Sequence, residues 1–422
     1  MLHRKAKIFL GVSLLAMLCH SLWPLETPAA VFSKSQINKW MPVQPMLPAP
    51  DHEVVAAYKF ILRLNPSLSV LRIAQWNPVN LSNATVDVGY IDQPQIEADQ
   101  YLHVAYMKLD QNNQDTVQYK LFQNTQQLLQ SYQLPLNPNN TDVKAIAMRL
   151  KGADVHIAVS AIDTATQQSM IYYFTKAPGS SSWQVMTFPI TGQPGEGLEL
   201  EILPLLNQAA VAFTRQTAGV QDLTLLEINL TTGNSIQTVV RSGRVYLGNQ
   251  ATDSFKPISF NVSPQTLFSW LSYGQTNAFN SPIIGTTLDE GIGLSPIFWQ
   301  AKTNFNNAWG SAVSHRFSSG FNVVTLEGSG GFSLGGKDLY LCEAPNGVIS
   351  PPVLLDSGPY FQSPAVTEEN ANGNFYIGTA VMTNIFYGFG ELRLYTRNGN
   401  YYFLEPPGAF GYYKELDIEL KE

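Results

Sequence analysis

The sequence predicts an all-β fold, a β-propeller of four-stranded antiparallel blades, and three observations carry that prediction. First, a short apolar phrase recurs: "VVAAY" (54–58), "LHVAY" (102–106), "VHIAV" (155–159), "AAVAF" (209–213), "TLFSW" (266–270), "VVTLE" (323–327) and "FYIGT" (375–379). With Ala56, Val104, Ile157, Val211, Phe268, Val324 and Ile377 as markers, the steps are 48, 53, 54, 57, 56 and 53 residues. A steady period of this size marks one supersecondary unit stacked on its own copies. Second, the segments around each marker alternate apolar and polar residues, which puts every second side chain on one face of a strand. Third, 45% of residues are hydrophobic and only 14% charged, a balance that suits strands and turns better than exposed helices rich in Glu and Lys.

Each unit is expected to hold four strands. A lead-in strand precedes the marker and often has proline near its start, as at Pro45, Pro94, Pro257 and Pro364; proline is tolerated at the first residue of a strand, where no ladder donor is needed. The marker strand follows. Next comes a strand at a near-constant offset: 69–75, 117–123, 170–176, 223–230, 338–344 and 391–397. The last strand is read at 129–136, 183–190, 236–240 and 401–407. Seven blades of about 54 residues are favoured, with six as the runner-up, because the N-terminal unit is the shortest and could instead close the ring with isolated strands. In the fifth unit, Ser263, Pro264, Leu267, Trp270 and Leu271 fit a capped helical turn, so a short helix competes there with the strand.

The last unit, "SPAVTEENANGNFYIGTAV" with "GELRLYTRNGNYYF", resembles quinoprotein-like propeller repeats, and "HVAY" followed by "VQYKLF" resembles blades of the sialidase-like superfamily. The resemblance implies the propeller fold and no single family. The sialidase-type Asp-box, S-x-D-x-G-x-x-W, is absent, since "SSSW" (180–183) lacks its Asp and Gly, and the Thr-Gly turn of "LTTGNSI" (230–236) occurs in one unit only.

The domain reading is a signal peptide over 1–30, a linker over 31–43 and a single propeller over 44–422. The signal is read from the basic "HRKAK", the apolar run from Ile8 to Cys19 and the small residues of "TPAAV", a run too short to span a bilayer as a helix. Leu18 before Cys19 is not the small residue that a lipidated bacterial cysteine requires. An exported chain, periplasmic or extracellular, with no transmembrane segment after cleavage, is therefore expected. The formal charge of −7 becomes −9 once Arg4, Lys5, Lys7 and Glu26 leave with the signal, which disfavours nucleic acid as a partner. Only Cys342 then remains, so no disulfide is expected and the fold rests on its hydrophobic core. A monomer is expected. The Asn-x-Ser/Thr sequons at Asn80, Asn83, Asn139, Asn229 and Asn261 would matter only in a eukaryotic secretory pathway.

Candidate chemistry is sparse. His103 and His156 occupy equivalent places in neighbouring units; they read first as polar residues satisfied between blades and second as a ligand pair or proton relay, since two histidines do not complete a metal site. No metal site and no cofactor are predicted. Glu199 and Glu201 share one strand face and read as a solvated face, and Arg149, Arg215, Arg241, Arg244 and Arg316 show no repeated placement. The segment 271–322 looks irregular and carries Asp289 and Glu290 in a glycine-rich stretch, with Trp299, Trp309, His315 and Arg316 further on. Aromatic rings beside polar side chains are what a sugar or peptide site uses, so these six residues, with His103 and His156, are the candidate binding set. No G-x-S-x-G nucleophile, phosphate loop or H-E-x-x-H motif occurs.

Two functions follow. The first is a secreted or periplasmic, non-enzymatic propeller that binds a protein, peptide or glycan at its loop face. The alternative is a carbohydrate-active hydrolase or lyase whose acids come from separate blades, invisible to local motifs. Charged side chains from three or more blades converging at one channel mouth would separate them.

Overall fold

The computed structural model describes residues 53–421 except for the stretches 63–68, 77–80, 204–205, 244, 246, 248–257, 263–267, 274–283, 290–296, 300–307, 318–319, 329–336, 346–349, 358–359, 385–388 and 406–410. The proposed signal, the linker and the lead-in strand near Pro45 lie outside the described residues, as do Pro257 and the turn at Ser263 and Pro264.

The described residues form an all-β propeller with four-stranded antiparallel blades. β1 (Glu53–Leu62), β2 (Ser69–Trp76) and β3 (Leu81–Gly89) belong to the first sheet. β4 (Ile91–Ala98), β5 (Leu102–Leu109), β6 (Asp115–Asn124) and β7 (Gln127–Gln133) make the second, and β8 (Thr141–Lys151), β9 (Asp154–Asp163), β10 (Gln168–Lys176) and β11 (Gln184–Ile190) the third. The fourth holds β12 (Gln193–Leu203), β13 (Gln208–Thr217), β14 (Val220–Asn229) and β15 (Ser235–Ser242). The fifth holds β16 (Ile258–Val262), β17 (Phe268–Tyr273), β18 (Ile284–Asp289) and β19 (Ile297–Trp299). The sixth holds β20 (Ala308–His315), β21 (Phe321–Gly328), β22 (Lys337–Ala344) and β23 (Val353–Asp356). The seventh holds β24 (Tyr360–Val366), β25 (Tyr376–Asn384), β26 (Phe389–Thr396) and β27 (Tyr401–Glu405), and β28 (Gly411–Lys421) returns to complete the first sheet beside β1.

All seven markers fall in the second strand of a sheet: Ala56 in β1, Val104 in β5, Ile157 in β9, Val211 in β13, Phe268 in β17, Val324 in β21 and Ile377 in β25. The phrase recurs because this strand is sandwiched between blades. β5 and β9 read almost wholly buried, whereas the outermost β7 and β15 are largely exposed. Most core clusters join neighbouring sheets. Val55, Leu71 and Ile73 pack with Ile91, Val104 and Tyr106, and Tyr58 and Ala74 pack with Ala380, Leu394 and Ile418. Each lead-in strand is the innermost of its sheet, and the innermost strands touch one another in sequence, from β4 through β8, β12, β16, β20, β24 and β28 back to β4.

Three expectations need correction. The lead-in strand of the first sheet comes from the C-terminus: β28 pairs with β1 from Glu53↔Lys421 to Leu62↔Gly411. Lead-in strands vary in length from 5 to 11 residues, so a period search cannot tell which end of the chain supplies the missing one. Where it is described, the segment 271–322 is not irregular, for it ends β17 and contributes β18, β19 and β20. Gly285 and Gly310 interrupt the apolar alternation within β18 and β20, which hid the strands from a period-2 reading. The competing helix is also absent where the chain is described, since Phe268–Tyr273 pairs with β16 and β18.

The innermost strands carry β-bulges in corresponding places. The register shifts between Asp92 and Gln95 in β4, between Val143 and Ala145 in β8, between Gln362 and Ala365 in β24, and opposite Ala57 and Lys59 in β28. Gln93, Ser363 and Glu415 sit there in the left-handed region at φ of 48°, 48° and 51°, a strained conformation for a side-chain-bearing residue. Each reaches the next blade. The Glu415 amide donates to Ser363 Oγ at 2.8 Å, the Gln93 amide to Glu415 Oε2 at 2.7 Å, and Gln93 accepts from the Ile146 amide at 2.9 Å while donating to the Lys144 carbonyl at 3.0 Å. Lys59 fastens the same arc, donating to Asp92 at 2.7 Å and to Glu415 at 3.0 Å.

Candidate functional site

At the other end of the innermost strands, the residue paired opposite the one before each marker is polar in the first four sheets: Glu419 faces Val55, Glu97 faces His103, Arg149 faces His156 and Glu201 faces Ala210. Asn261 ends the series on β16, His315 on β20, and Glu368 lies two residues past β24. One polar side chain from each sheet lies at this level, and those of the second to the seventh sheet touch one another in turn around the central channel that a propeller encloses.

Arg149 Nη1 donates to Glu97 Oε1 at 2.6 Å and its Nε to Glu201 Oε1 at 2.9 Å, each across 52 residues of sequence. Asn261 Nδ2 donates to Glu201 Oε1 at 3.4 Å, and its Oδ1 stands 3.2 Å from His315 Nδ1. His315 Nδ1 is also 3.2 Å from Glu368 Oε1, so a proton on Nδ1 is shared between amide and carboxylate. Around the closing arc, Asp417 accepts the Ile96 amide at 2.9 Å, and Glu419 accepts the amide of Leu420 at 3.0 Å.

The electrostatics of these groups diverge. Burial pushes the Glu97 carboxyl up to about 8, with Arg149 opposing and Asp417 and Glu368 reinforcing the rise. Burial likewise raises Glu201 to about 7 against the pull of Arg149. Glu419 is raised well above the carboxylate range by burial and then by the like charges of Glu97 and Glu368. For Glu368 burial acts upward too, but the charge and hydrogen bond of His315 outweigh it and hold the group below its ordinary value. The reciprocal effect raises His315 against its own desolvation. Near neutral pH the ring thus combines proton-bearing carboxyls with an ionised one, the contrast on which acid–base sites are built.

The other predicted residues fall in different places. His103 is buried, its Nδ1 2.8 Å from Tyr119 Oη and its Nε2 3.2 Å from Asp99. His156 repeats the first contact with Tyr173 at 2.8 Å, and burial lowers its pKa to about 4, leaving it neutral. The repeated histidine–tyrosine pair lies within each sheet, whereas the pairing partners of the two histidines, Glu97 and Arg149, enter the channel ring. Arg316 is tied to Glu369 at 3.2 Å and to Glu343 at 3.5 Å, joining the sixth and seventh sheets beside the ring. Asp289 is the last residue of β18, the third strand of its sheet, and not a loop residue; Trp299 ends the outermost β19, Trp309 lies in the innermost β20, and Glu290 is outside the described residues.

Sequence reasoning did not name Glu97, Glu368 or Glu419, and two of its readings are overturned. Glu199 and Glu201 are buried, not a solvated face, because β12 is an innermost strand whose sides meet β8 and β16. Arg149 does occupy a repeated place, 52 residues from both Glu97 and Glu201. Asn261, noted only as a sequon, is buried in the ring. Spacing was the available signal, for the separations between bonded members are 52, 52, 60 and 54. Among the described residues no three His, Cys, Asp or Glu side chains are disposed to hold a metal ion, and Cys342 is buried. No helix among them is long and apolar enough to cross a membrane.

No known protein family and no curated relative matches the chain. Solved structures do. An ACO/RPE65 chimera is 10% identical with a TM-score of 0.50, covering 90% of this chain and 96% of its own. The β-propeller domain of the Trilobed protease from Pyrococcus furiosus is 11% identical with a TM-score of 0.49, covering 85% of this chain and 93% of its own. A puromycin-hydrolysing peptidase from Mycobacterium tuberculosis is 13% identical with a TM-score of 0.44 over 78% of this chain, which spans 48% of that longer protein. Identities of this order show the fold alone.

Proposed function

We propose that this is an exported seven-bladed propeller that binds a peptide, protein or glycan ligand at the mouth of its central channel. The observation that carries the reading is the ring of Glu97, Arg149, Glu201, Asn261, His315, Glu368 and Glu419, one side chain from each sheet. Ionisable groups in a structural core are costly to bury. A polar or ionisable side chain at one level in all seven sheets favours a surface kept for a ligand. Export, to periplasm or exterior, rests on the N-terminal signal pattern. Peptide and glycan arrays probed with the purified protein would identify ligands, and His315→Phe, which places an apolar ring in the channel, should weaken each hit about tenfold or more, the loss of one charge-assisted contact. Hits that bind His315→Phe as tightly as the parent would refute the assignment.

One observation favours a second reading, a carbohydrate-active hydrolase or lyase. Glu97, with a pKa of about 8, can hold a proton at neutral pH while Glu368 stays ionised beside His315, and a proton-bearing and an ionised carboxyl are the pair that glycoside cleavage employs. Turnover of an oligosaccharide that falls about a hundredfold or more in both Glu97→Gln and Glu368→Gln would establish it. Turnover that survives both substitutions would dismiss it.

A further inference from the structure

The second and third sheets build the same histidine–tyrosine pair and complete it differently. The rings meet alike, with centroids 6.1 Å apart at 44° for His103 and Tyr119 and 5.8 Å apart at 47° for His156 and Tyr173. Burial keeps both tyrosines protonated, and in each pair the histidine Nδ1 is the one hydrogen-bond partner of the hydroxyl among the described residues. The hydroxyl therefore donates to Nδ1, and the imidazole proton sits on Nε2. In the second sheet that proton finds Asp99, 3.2 Å away in the hairpin between β4 and β5. In the third, His156 is 5% exposed, and its Nε2 is buried with no partner among the described residues. A buried donor left unmet costs about 1–3 kcal/mol.

The missing acceptor has a local cause. Four residues before each histidine stand Asp99 and Gly152; two residues after the ring members Glu97 and Arg149 stand Asp99 and Lys151. The β8–β9 turn is also shorter, with Lys151↔Asp154 enclosing two residues where Ala98↔Leu102 encloses three. Gly152 is exposed at a φ of 59°, and a Cβ there would meet no heavy atom beyond its chain neighbours within 4 Å. The place that the Asp99 side chain fills is thus open in the third sheet, with a cation beside it. Lys151 donates to the neutral amide oxygen of Asn207 and forms no ion pair among the described residues. Asp154 acts on His156 through its field alone, and the field of Lys151 opposes it.

We propose that a carboxylate of the ligand docks over the β8–β9 turn, one oxygen accepting the Nε2 proton of His156 and its charge facing Lys151, in the place that Asp99 fills in the second sheet. The inference rests on this end of the propeller being its ligand face, since Lys151 follows Arg149 of the ring by two residues. A neutral carbonyl or hydroxyl would meet Nε2 but leave Lys151 with only an amide. A carboxylate answers both, through a charge-assisted hydrogen bond, and it is the group that the chain itself sets against the same imidazole one sheet earlier. Two sources share this chemistry, the C-terminus of a peptide and the uronic acid of a glycan.

The test is titration calorimetry of the full chain near pH 7, where His156 is neutral and carboxylate probes are ionised. The probes are N-acetyl-trialanine beside its C-terminal amide and trigalacturonate beside its methyl ester. The expected result is that one of the carboxylates binds about tenfold or more tightly than its neutral form. Gly152→Asp, which fits the open space and a left-handed residue, supplies the acceptor from within and should abolish that preference. Lys151→Met removes the cation and should reduce it about threefold or more. Which carboxylate binds identifies the source. Equal binding of charged and neutral forms, or no binding of either carboxylate at millimolar concentration, overturns the inference. So does a preference that persists in a Gly152→Asp chain with an unchanged near-ultraviolet circular dichroism spectrum, or one that Lys151→Met leaves unmoved. Neutral probes that bind as tightly as the carboxylates and still lose affinity in His315→Phe would leave the channel as the ligand site and remove only the carboxylate contact.

Discussion

Arg149 is the residue on which the ring most depends, because two carboxylates from different sheets share its guanidinium. Replacing it with methionine keeps much of the volume but leaves Glu97 and Glu201 without their cation, and breaking a buried pair from one side costs about 3–5 kcal/mol. Urea denaturation of Arg149→Met should show a loss of that order, and adding Glu97→Gln and Glu201→Gln should recover most of it; a triple variant as unstable as the single one would mean that packing, not charge, dominates. The same residues set a pH dependence. Glu97 and Glu201 have folded values of about 8 and about 7 against ordinary values of 4.5, so between those limits the folded chain holds more protons than the unfolded one. Stability must then fall as pH rises from about 4.5 to about 8. His315, raised above 6.5, adds to the fall above that pH, since its contribution is full below the unfolded value and is lost through the folded one. Glu368, lowered from 4.5, acts oppositely, but only below about pH 4.5. Thermal melting should therefore give a lower Tm at pH 8.5 than at pH 5.5, and a Tm that climbs over this interval would contradict the protonation states assigned to the ring.

At the scale of the strand, the bulge is as much a repeated device as the marker phrase, yet only the marker could be read in the sequence. Ala56, Val104, Ile157 and Val211 recur as small or branched apolar residues because their strand is buried on both faces by neighbouring sheets, and burial tolerates few alternatives. The bulge and the ring are met by changing chemistry: Gln93, Ser363 and Glu415 do one task with three residue types, and Glu, Arg, Asn and His share the channel. A search for a recurring residue misses both, although spacing preserves them. The consequence is measurable at Gln93, whose side chain binds the backbone of the third sheet on both sides. Gln93→Ala should cost about 1–3 kcal/mol by leaving those groups unmet. Gln93→Gly loses the same bonds but relieves a left-handed φ of 48°, worth about 1 kcal/mol, so glycine should be the milder substitution in equilibrium unfolding. If alanine proves no worse than glycine, the bulge stores no strain.

For the molecule as a whole, closure is the decisive feature. The first sheet takes β1, β2 and β3 from the N-terminal part of the described chain and its innermost strand, β28, from the other end, so the two ends are sewn into one sheet by the ladder from Glu53↔Lys421 to Leu62↔Gly411. Closure by β28 covers the inner edge of β1, which would otherwise lie open to pairing with another chain. Here it also completes the site, because β28 delivers Glu415 to the bulge relay and Glu419 to the channel ring. Removing residues 411–422 would expose Val54, Ala56 and Tyr58 along β1, uncover the cluster that Leu416, Ile418 and Leu420 share with the seventh sheet, and leave Lys59 without one of its two carboxylates. A truncation of an exposed terminal strand is ordinarily tolerated; this one should not be. The shortened chain should lose cooperative thermal unfolding and near-ultraviolet circular dichroism. Supplying residues 411–421 as a separate peptide should restore both, since the groove beside β1 can be refilled by strand addition. A shortened chain that melts as sharply as the parent without the peptide would show that the ring holds without this strand.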